Sequence, residues 1–392
     1  MFKKKYFING LIIFIVLQTF YYAFLMVSYQ IDPFNKYLYS TGFHYTQDPR
    51  QNDEPFNLIN ALSAWDGQWY MRIADTGYTT KTEISSHGKQ ILLDQYAYAF
   101  FPLYPYLVSF INLFIQNTLL SAFILDNILL VALFFSVYYV VTKLYTEEIA
   151  MRTNFLLLFY PLSLFYRAYY AESLFLLLLI WFGYALVKRK WLLVGITLTA
   201  MYLTKANGLF LLIPLISVLI SDFRKKKISF WKSAAVLLIP FIAYIYLFLV
   251  GKMKMDNGMV WITAHNFWGQ KNSMLFTIQH NFLAIYNFFS LPDHEYLTSK
   301  TEIIAFFVGL FLLIKTKKIL HPELWRMSFG LLIAPLFVKS FTSYARYEIV
   351  VFPLFIYLAM KLKGIWYNIA ITISFLLLLW FSTIFINWGW IE

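Results

Sequence analysis

The chain of 392 residues has no cysteine, and only 13 % of its residues are charged. The first absence excludes a disulfide framework, a thiolate metal site and a cysteine nucleophile. The second excludes a typical soluble domain, which carries about 25 % charged residues. There is no glycine-rich phosphate loop, which speaks against a nucleotide-driven pump. The six histidines fall into no HExxH or related ligand spacing, and no carboxylate pair reads as DxD. No cofactor is therefore expected, and a divalent metal would have to be assembled from distant segments.

What the chain does have is apolar and aromatic. Sixty per cent of residues are hydrophobic, with 41 Phe, 30 Tyr and 12 Trp, and mean hydropathy is +0.61. These values predict an all-α polytopic membrane protein with large aromatic belts at the membrane interfaces. The net charge of +12 lies in short Lys/Arg clusters between apolar runs. That is a topology signal, and it speaks against nucleic acid as a partner.

The clusters give a path. Lys3, Lys4 and Lys5 precede an apolar run over residues 6–27 with no small-residue cleavage site after it, so this run reads as a retained first span with a cytoplasmic N-terminus. Lys143 with Arg152, Lys188-Arg189-Lys190, residues 224–227, residues 315–318, and Lys361 with Lys363 then mark further cytoplasmic loops. About eleven crossings follow, near residues 7–27, 119–142, 153–168, 173–187, 191–206, 208–221, 231–250, 302–314, 325–340, 347–360 and 365–387. Counting residues 99–115 as another crossing would invert every later loop. They read instead as a juxtamembrane or re-entrant helix, with Pro102 and Pro105 early in it, where backbone donors are unpaired anyway. The whole chain, 1–392, reads as one integral membrane domain. Its first external loop spans residues 28–118, and a longer external loop spans residues 251–301.

Against this background residues 64–78, AWDGQWYMRIADTGY, stand out. Trp65, Trp69 and Ile73 recur at i, i+4 and i+8, which predicts a helix stripe lying on the interface with Asp66 and Tyr70 on its flank. The alternative is an amphipathic surface helix whose aspartate merely faces water. Pro55, after Asn52-Asp53-Glu54, predicts the start of a preceding helical stretch. Glu172 sits at the outer mouth of the next span, as a functional acid or as a helix N-terminal acid complementing the dipole. Lys205 and Arg346 are external cations, against the inside bias of the others. They suit a phosphate or pyrophosphate, or they snorkel to lipid headgroups. Arg167 and Lys339 are similar cases, and Asp126, inside a span near its outer end, is equally a functional acid or a helix-packing residue.

At these residues the chain resembles the PIG-V family, the mannosyltransferases that add the second mannose in GPI-anchor assembly, and their bacterial relatives. The family's first-loop pattern is met by Trp65-Asp66, Trp69-Tyr70, Ile73-Ala74, Gly77-Tyr78 and Phe100-Phe101-Pro102, in that order. Its Tyr-x-Glu-Ser-Leu-Phe element is matched by residues 170–175. Its Arg-x-Asn-Gly is matched by Lys205-Ala206-Asn207-Gly208, with Lys where Arg is usual, and a late Arg-Tyr followed by Pro is matched by Arg346-Tyr347 and Pro353. The resemblance implies a GT-C glycosyltransferase: a multi-span fold, a catalytic acid in the first external loop, a polyprenyl-phosphate sugar as donor, and inversion at the anomeric carbon. The eukaryotic enzymes act on a GPI precursor, whereas this chain looks bacterial, so the acceptor does not carry over.

The expectation is thus a multi-pass cell-membrane enzyme with its active site on the extracytoplasmic face. It would move a hexose, with mannose first in line, onto a glycan or glycolipid of the cell envelope. Asp66 and Glu172 are the catalytic candidates. Trp65, Trp69, Tyr70, Arg72, Tyr78, Arg167, Lys205, Asn207 and Arg346 are the substrate-binding ones. The alternative class is a transporter or flippase of lipid-linked saccharides, which would show charged residues toward the midplane and inverted repeats. A third is an assembly subunit that keeps the fold without activity.

Overall fold

The computed structural model describes residues 4–80, 96–264, 274–291, 299–337, 341 and 343–391. Lys339 and parts of residues 28–118 and 251–301, the loops expected outside the membrane, lie outside the described residues. Every regular element among the described residues is helical. In chain order the main helices are α1 (Lys4–Ser28), α2 (Asp66–Thr76), α3 (Leu103–Ile115), α4 (Thr118–Leu144), α5 (Glu147–Leu158), α6 (Glu172–Lys188), α7 (Trp191–Thr204) and α8 (Leu212–Arg224). They continue as α9 (Phe230–Leu238), α10 (Phe241–Met255), α11 (Met274–Tyr286), α12 (Lys300–Thr316), α13 (Pro322–Ile333), α14 (Tyr344–Glu348), α15 (Phe352–Lys361) and α16 (Gly364–Ile386).

Among the described residues five stretches are long and apolar enough to cross a membrane: Lys5–Ser28, Thr118–Leu144, Ala206–Arg224, Phe230–Met255 and Gly364–Ile386. On α1 the side chains of Ile12, Ile13, Ile15, Val16 and Phe20 face outward. So much exposed hydrocarbon on one helix is stable in lipid and not in water. The protein is membrane-embedded. By contrast α6 is covered on every side, with Leu176, Leu179, Ile180, Phe182, Ala185 and Leu186 fully buried. Its 17 residues make a helix about 26 Å long at 1.5 Å per residue, short of the ~30 Å hydrocarbon core.

Prolines set several of the breaks. A single crossing is expected over residues 153–168, but α5 ends at Leu158 and the chain turns through a 3-10 helix, Pro161–Tyr166. Pro161 brings no N–H to continue the α-helix, and it biases Tyr160 to extended backbone, ψ 147°. Pro335 likewise sits in the 3-10 turn Ala334–Phe337 that follows α13, and Pro240 separates α9 from α10. The helix expected from Pro55 is absent. The chain forms instead a 3-10 turn, Pro49–Asn52, capped by Asp48, and a short helix, Leu58–Ala61, capped by Asn57. Polar side chains ahead of each start accept the free backbone donors, and these caps decide where the helices begin. The expected helix after Pro102 does form, as α3, with Pro105 in its first turn.

The chain divides into two compact units. The first comprises residues 1–71, 108–173 and 352–391. In it α4 packs along α5, α5 packs against α15, and α1 against α16. Hydroxyls join the first and last spans: Tyr21 donates to Ser382 and Thr383 to Ser28, each at 2.9 Å. Such bonds need no water and suit helix pairing in lipid. The second comprises residues 72–107 and 174–351. There α12 packs on α13 and α14, and the 3-10 helix Ala206–Leu211 packs on α7, α8 and α13. Arg189 gathers three helix ends, bonding Asp222 of α8 at 2.5 Å and Glu323 of α13 at 2.8 Å just beyond the end of α6.

Candidate functional site

In the first unit the Trp-Asp element and the Tyr-x-Glu element are joined directly. The Asp66 N–H donates to the Tyr170 hydroxyl at 3.1 Å, and that hydroxyl donates to the Ala64 carbonyl at 3.0 Å. Tyr169 adds two bonds, its N–H to Leu62 O at 3.2 Å and its hydroxyl to Ile59 O at 2.7 Å. Gln68 closes the other side, accepting from the Tyr45 and Thr46 N–H groups and donating to Ser63 Oγ.

The turn so held is strained. Trp65 has φ +59°, in the left-handed region that costs a bulky L-residue about 1–2 kcal/mol. It therefore lies off the stripe expected of it, and α2 begins one residue later, at Asp66. Nor do the stripe residues lie on an open interface: Trp69, Tyr70 and Ile73 are buried, and Trp69 stacks on Phe43 at 3.8 Å. Asp66 and Glu172 each occupy the first turn of a helix, α2 and α6, where the dipole favours a carboxylate. Asp66 is half-buried, whereas Glu172 has no exposed surface.

Arg167 is also fully enclosed. It donates to Gln18 Oε1 at 3.0 and 2.8 Å and to Ser163 O and Oγ at 3.0 and 3.2 Å. Its guanidinium also lies 4.7 Å from the Tyr21 ring centre. It thus ties α1 to the 3-10 helix Pro161–Tyr166, which leads into Tyr169, Tyr170 and Glu172. Asp126 accepts from Ser173 Oγ at 3.4 Å.

In the second unit the Lys205 and Arg346 elements also meet. The Lys205 ammonium lies 4.9 Å from the ring centre of Tyr347, the residue after Arg346. Lys205 is extended and opens the 3-10 helix holding Asn207 and Gly208. Gly208 packs so tightly on the turn before it that a Cβ would come within 2.8 Å of the Met201 and Tyr202 backbone. Only glycine fits there. Arg346 is 8 % exposed. Its short helix α14 follows Ser343, at φ +55°. Glu302 of α12 accepts the Ala345 N–H at 2.7 Å, and the Tyr344 hydroxyl donates to Leu332 O at 2.6 Å.

The Gly-Tyr and Phe-Phe-Pro elements meet in the same unit. Tyr78 donates to Phe100 O at 2.5 Å, and Tyr98 donates to Thr79 O at 2.8 Å. Trp261 packs edge-on to both Tyr78 and Tyr98. Lys254 holds Tyr78 O at 2.6 Å, and Arg72 donates to Thr79 Oγ1 at 2.9 Å. Tyr78 is buried.

A further cluster in the first unit was not expected from sequence. Trp388, at φ +61°, lies 5.4 Å from Trp65, 4.8 Å from Tyr39 and 4.9 Å from His44 between ring centres, and Trp390 lies 5.0 Å from Trp65. Arg50 fixes this segment, donating to Asn387 Oδ1 and Ile386 O while paired with Asp48 at 2.8 Å. His44 Nε2 bonds Tyr39 O at 2.5 Å. A carbonyl only accepts, so the proton is on Nε2 and Nδ1 is an acceptor. Burial holds the imidazole below its ordinary pKa, although the Tyr39 carbonyl and Asp48 oppose this. The signal in the sequence was the Asn-Trp-Gly-Trp run, residues 387–390, directly after the last apolar stretch.

No group of three or more potential metal ligands occurs among the described residues. Compared with known family models, with curated proteins and with solved structures, the chain matches none.

Proposed function

We propose that the protein is a PIG-V-like membrane glycosyltransferase of GT-C type, with about eleven crossings. It would transfer a hexose, with mannose as first candidate, from a polyprenyl-phosphate donor to an extracytoplasmic envelope acceptor. One observation carries this reading. The motif aspartate opens a helix behind a strained left-handed tryptophan, and a tyrosine from the second motif bonds its own N–H. Strain of this kind persists where the surroundings over-determine it, and it clusters at active sites.

In the proposed reaction Asp66 accepts the proton of an acceptor hydroxyl. The oxygen attacks the anomeric carbon, the bond from that carbon to the phosphate oxygen breaks with inversion, and the electron pair leaves on the polyprenyl phosphate. Arg346 and Lys205 neutralise the charge growing there, and the proton passes from Asp66 to water. Trp65 lines the sugar. Trp69, Tyr70, Arg167 and Glu172 hold the turn in place.

The test is sugar transfer by purified wild type and Asp66→Asn in one lipid mixture with a polyprenyl-phosphate hexose. Equal rates would overturn the assignment. Envelope glycans from cells without the gene separate the classes: loss of a single sugar supports the transferase, whereas loss of a whole polymer supports a flippase.

A further inference from the structure

The cluster around Trp388 holds two polar atoms that have no use in the fold. The Trp65 indole N–H and His44 Nδ1 are both enclosed, and neither has a hydrogen-bond partner. Buried polar atoms in native proteins nearly always have partners, so each orphan needs a reason. Here two occur on rings packed against the same third ring, Trp388, and they are complementary: one donates and the other accepts. Both Trp65 and Trp388 are held in left-handed backbone, a second cost at the same place.

Charge narrows the ligand. Arg50 and Asp48, two ionic groups beside this cluster, are paired with each other, and burial disfavours the charged form of the imidazole. The cluster therefore offers aromatic faces, one neutral donor and one neutral acceptor. With Arg50 already bound to Asp48, an anion would find no free counter-charge there, while Asp66, next to Trp65, is the acid that the proposed reaction assigns to a hydroxyl. A saccharide presents C–H faces to indole rings, together with hydroxyls that both donate and accept.

We propose that Trp65, His44, Trp388 and Trp390 form a binding site for a neutral saccharide. It rests on the transferase reading only in taking that saccharide as the acceptor, whose hydroxyl would then lie beside Asp66, the next residue in the chain. Trp65, His44 and Trp390 are each partly exposed, so the cluster has an open edge. The orphan atoms themselves are covered, so binding turns the Trp65 ring.

The test uses the full chain in nanodiscs without glycoside detergents and without donor. Methyl α-mannoside, methyl β-glucoside and methyl β-galactoside serve as probes in saturation-transfer NMR. Wild type should transfer saturation to the ring protons of at least one probe, with a change in tryptophan fluorescence. Trp65→Phe keeps a ring and deletes the N–H, and His44→Phe keeps the stacking and deletes the acceptor. Each should weaken that probe roughly 3- to 10-fold, as one neutral hydrogen bond is worth about 0.5–1.5 kcal/mol. Saturation of none of the three, or equal affinity in both variants and wild type, would overturn the site. If one variant fails to fold, the other decides. Saccharide binding by a wild-type protein that transfers no sugar from a polyprenyl-phosphate hexose would leave this site standing while the transferase assignment falls.

Discussion

The acid-bearing turn of the first unit and the cation-bearing turn of the second are built alike and differ in how their charged groups are held. Each begins at a non-glycine residue in left-handed backbone, Trp65 at φ +59° and Ser343 at φ +55°, and a helix starts at the next residue. Each has a backbone N–H in the first turn of its helix bonded by a distant side chain, Tyr170 in one and Glu302 in the other. The acid turn is fastened by neutral hydroxyls, amides and carbonyls. The cation turn is fastened by a carboxylate and by a cation over a ring. Neutral fastening suits a group that must gain and lose a proton. Ionic fastening suits groups that stay charged throughout.

If the difference is functional, the largest effect is at the acid. Asp66→Asn should lower transfer by about 10²- to 10⁴-fold, the range of general acid–base catalysis, with the thermal midpoint unchanged. Glu172→Gln, whose carboxyl is enclosed, should instead lower the midpoint and affect the rate through folded yield. The reverse pattern would exchange their roles.

Next come the cations. Charge-assisted hydrogen bonds contribute about 1.5–3 kcal/mol, so Arg346→Ala should slow transfer roughly 10- to 150-fold at ~1.4 kcal/mol per decade. Arg346→Lys should fall between, keeping charge but losing the fork. Equal specific activity of the three proteins in one lipid mixture would remove Arg346 from the site.

Tyr170→Phe deletes one hydroxyl that makes two bonds to the acid turn. It should lower stability by about 1–3 kcal/mol and slow transfer by less than Asp66→Asn, measured as unfolding midpoint and rate on one preparation. A rate loss with no loss of stability would mean that the hydroxyl touches substrate.

The smallest effect separates the two left-handed residues. Ser343→Gly relieves about 1–2 kcal/mol of backbone strain and should raise the thermal midpoint slightly. Trp65→Gly relieves the same strain but leaves a cavity that costs about 3–5 kcal/mol, so it should be destabilising. A midpoint raised by both would show that the Trp65 ring contributes little packing.

How far the sequence foretold this depends on what kind of signal each part left. Long apolar runs such as those of α1, α4 and α16 are legible because lipid demands about 20 apolar residues. The shorter helices were blurred because prolines at 161, 240 and 335 interrupt runs whose hydropathy alone is continuous. The i, i+4 spacing of Trp65, Trp69 and Ile73 found a helix but not its start, because a left-handed residue breaks the register without leaving a glycine to mark it. The pairing of Tyr170 with Asp66, and of Lys205 with Tyr347, joins residues more than 100 positions apart, which no local period reports. His44, Arg50 and Trp388 were missed for the same reason.

That last cluster bears on how the protein is made. Arg50 meets Asn387 across 337 positions of chain. At about 5–20 residues per second, ribosomes need roughly 17–67 s to make the stretch between them. For that interval Trp65 and Arg50 have emerged without the ring and carbonyls that later cover them. The nascent turn must wait, strained and unroofed, until residues 386–390 arrive. Slow decoding or a stall late in the message would prolong that exposure, making the first loop, rather than the spans, the segment on which membrane chaperones and proteases act.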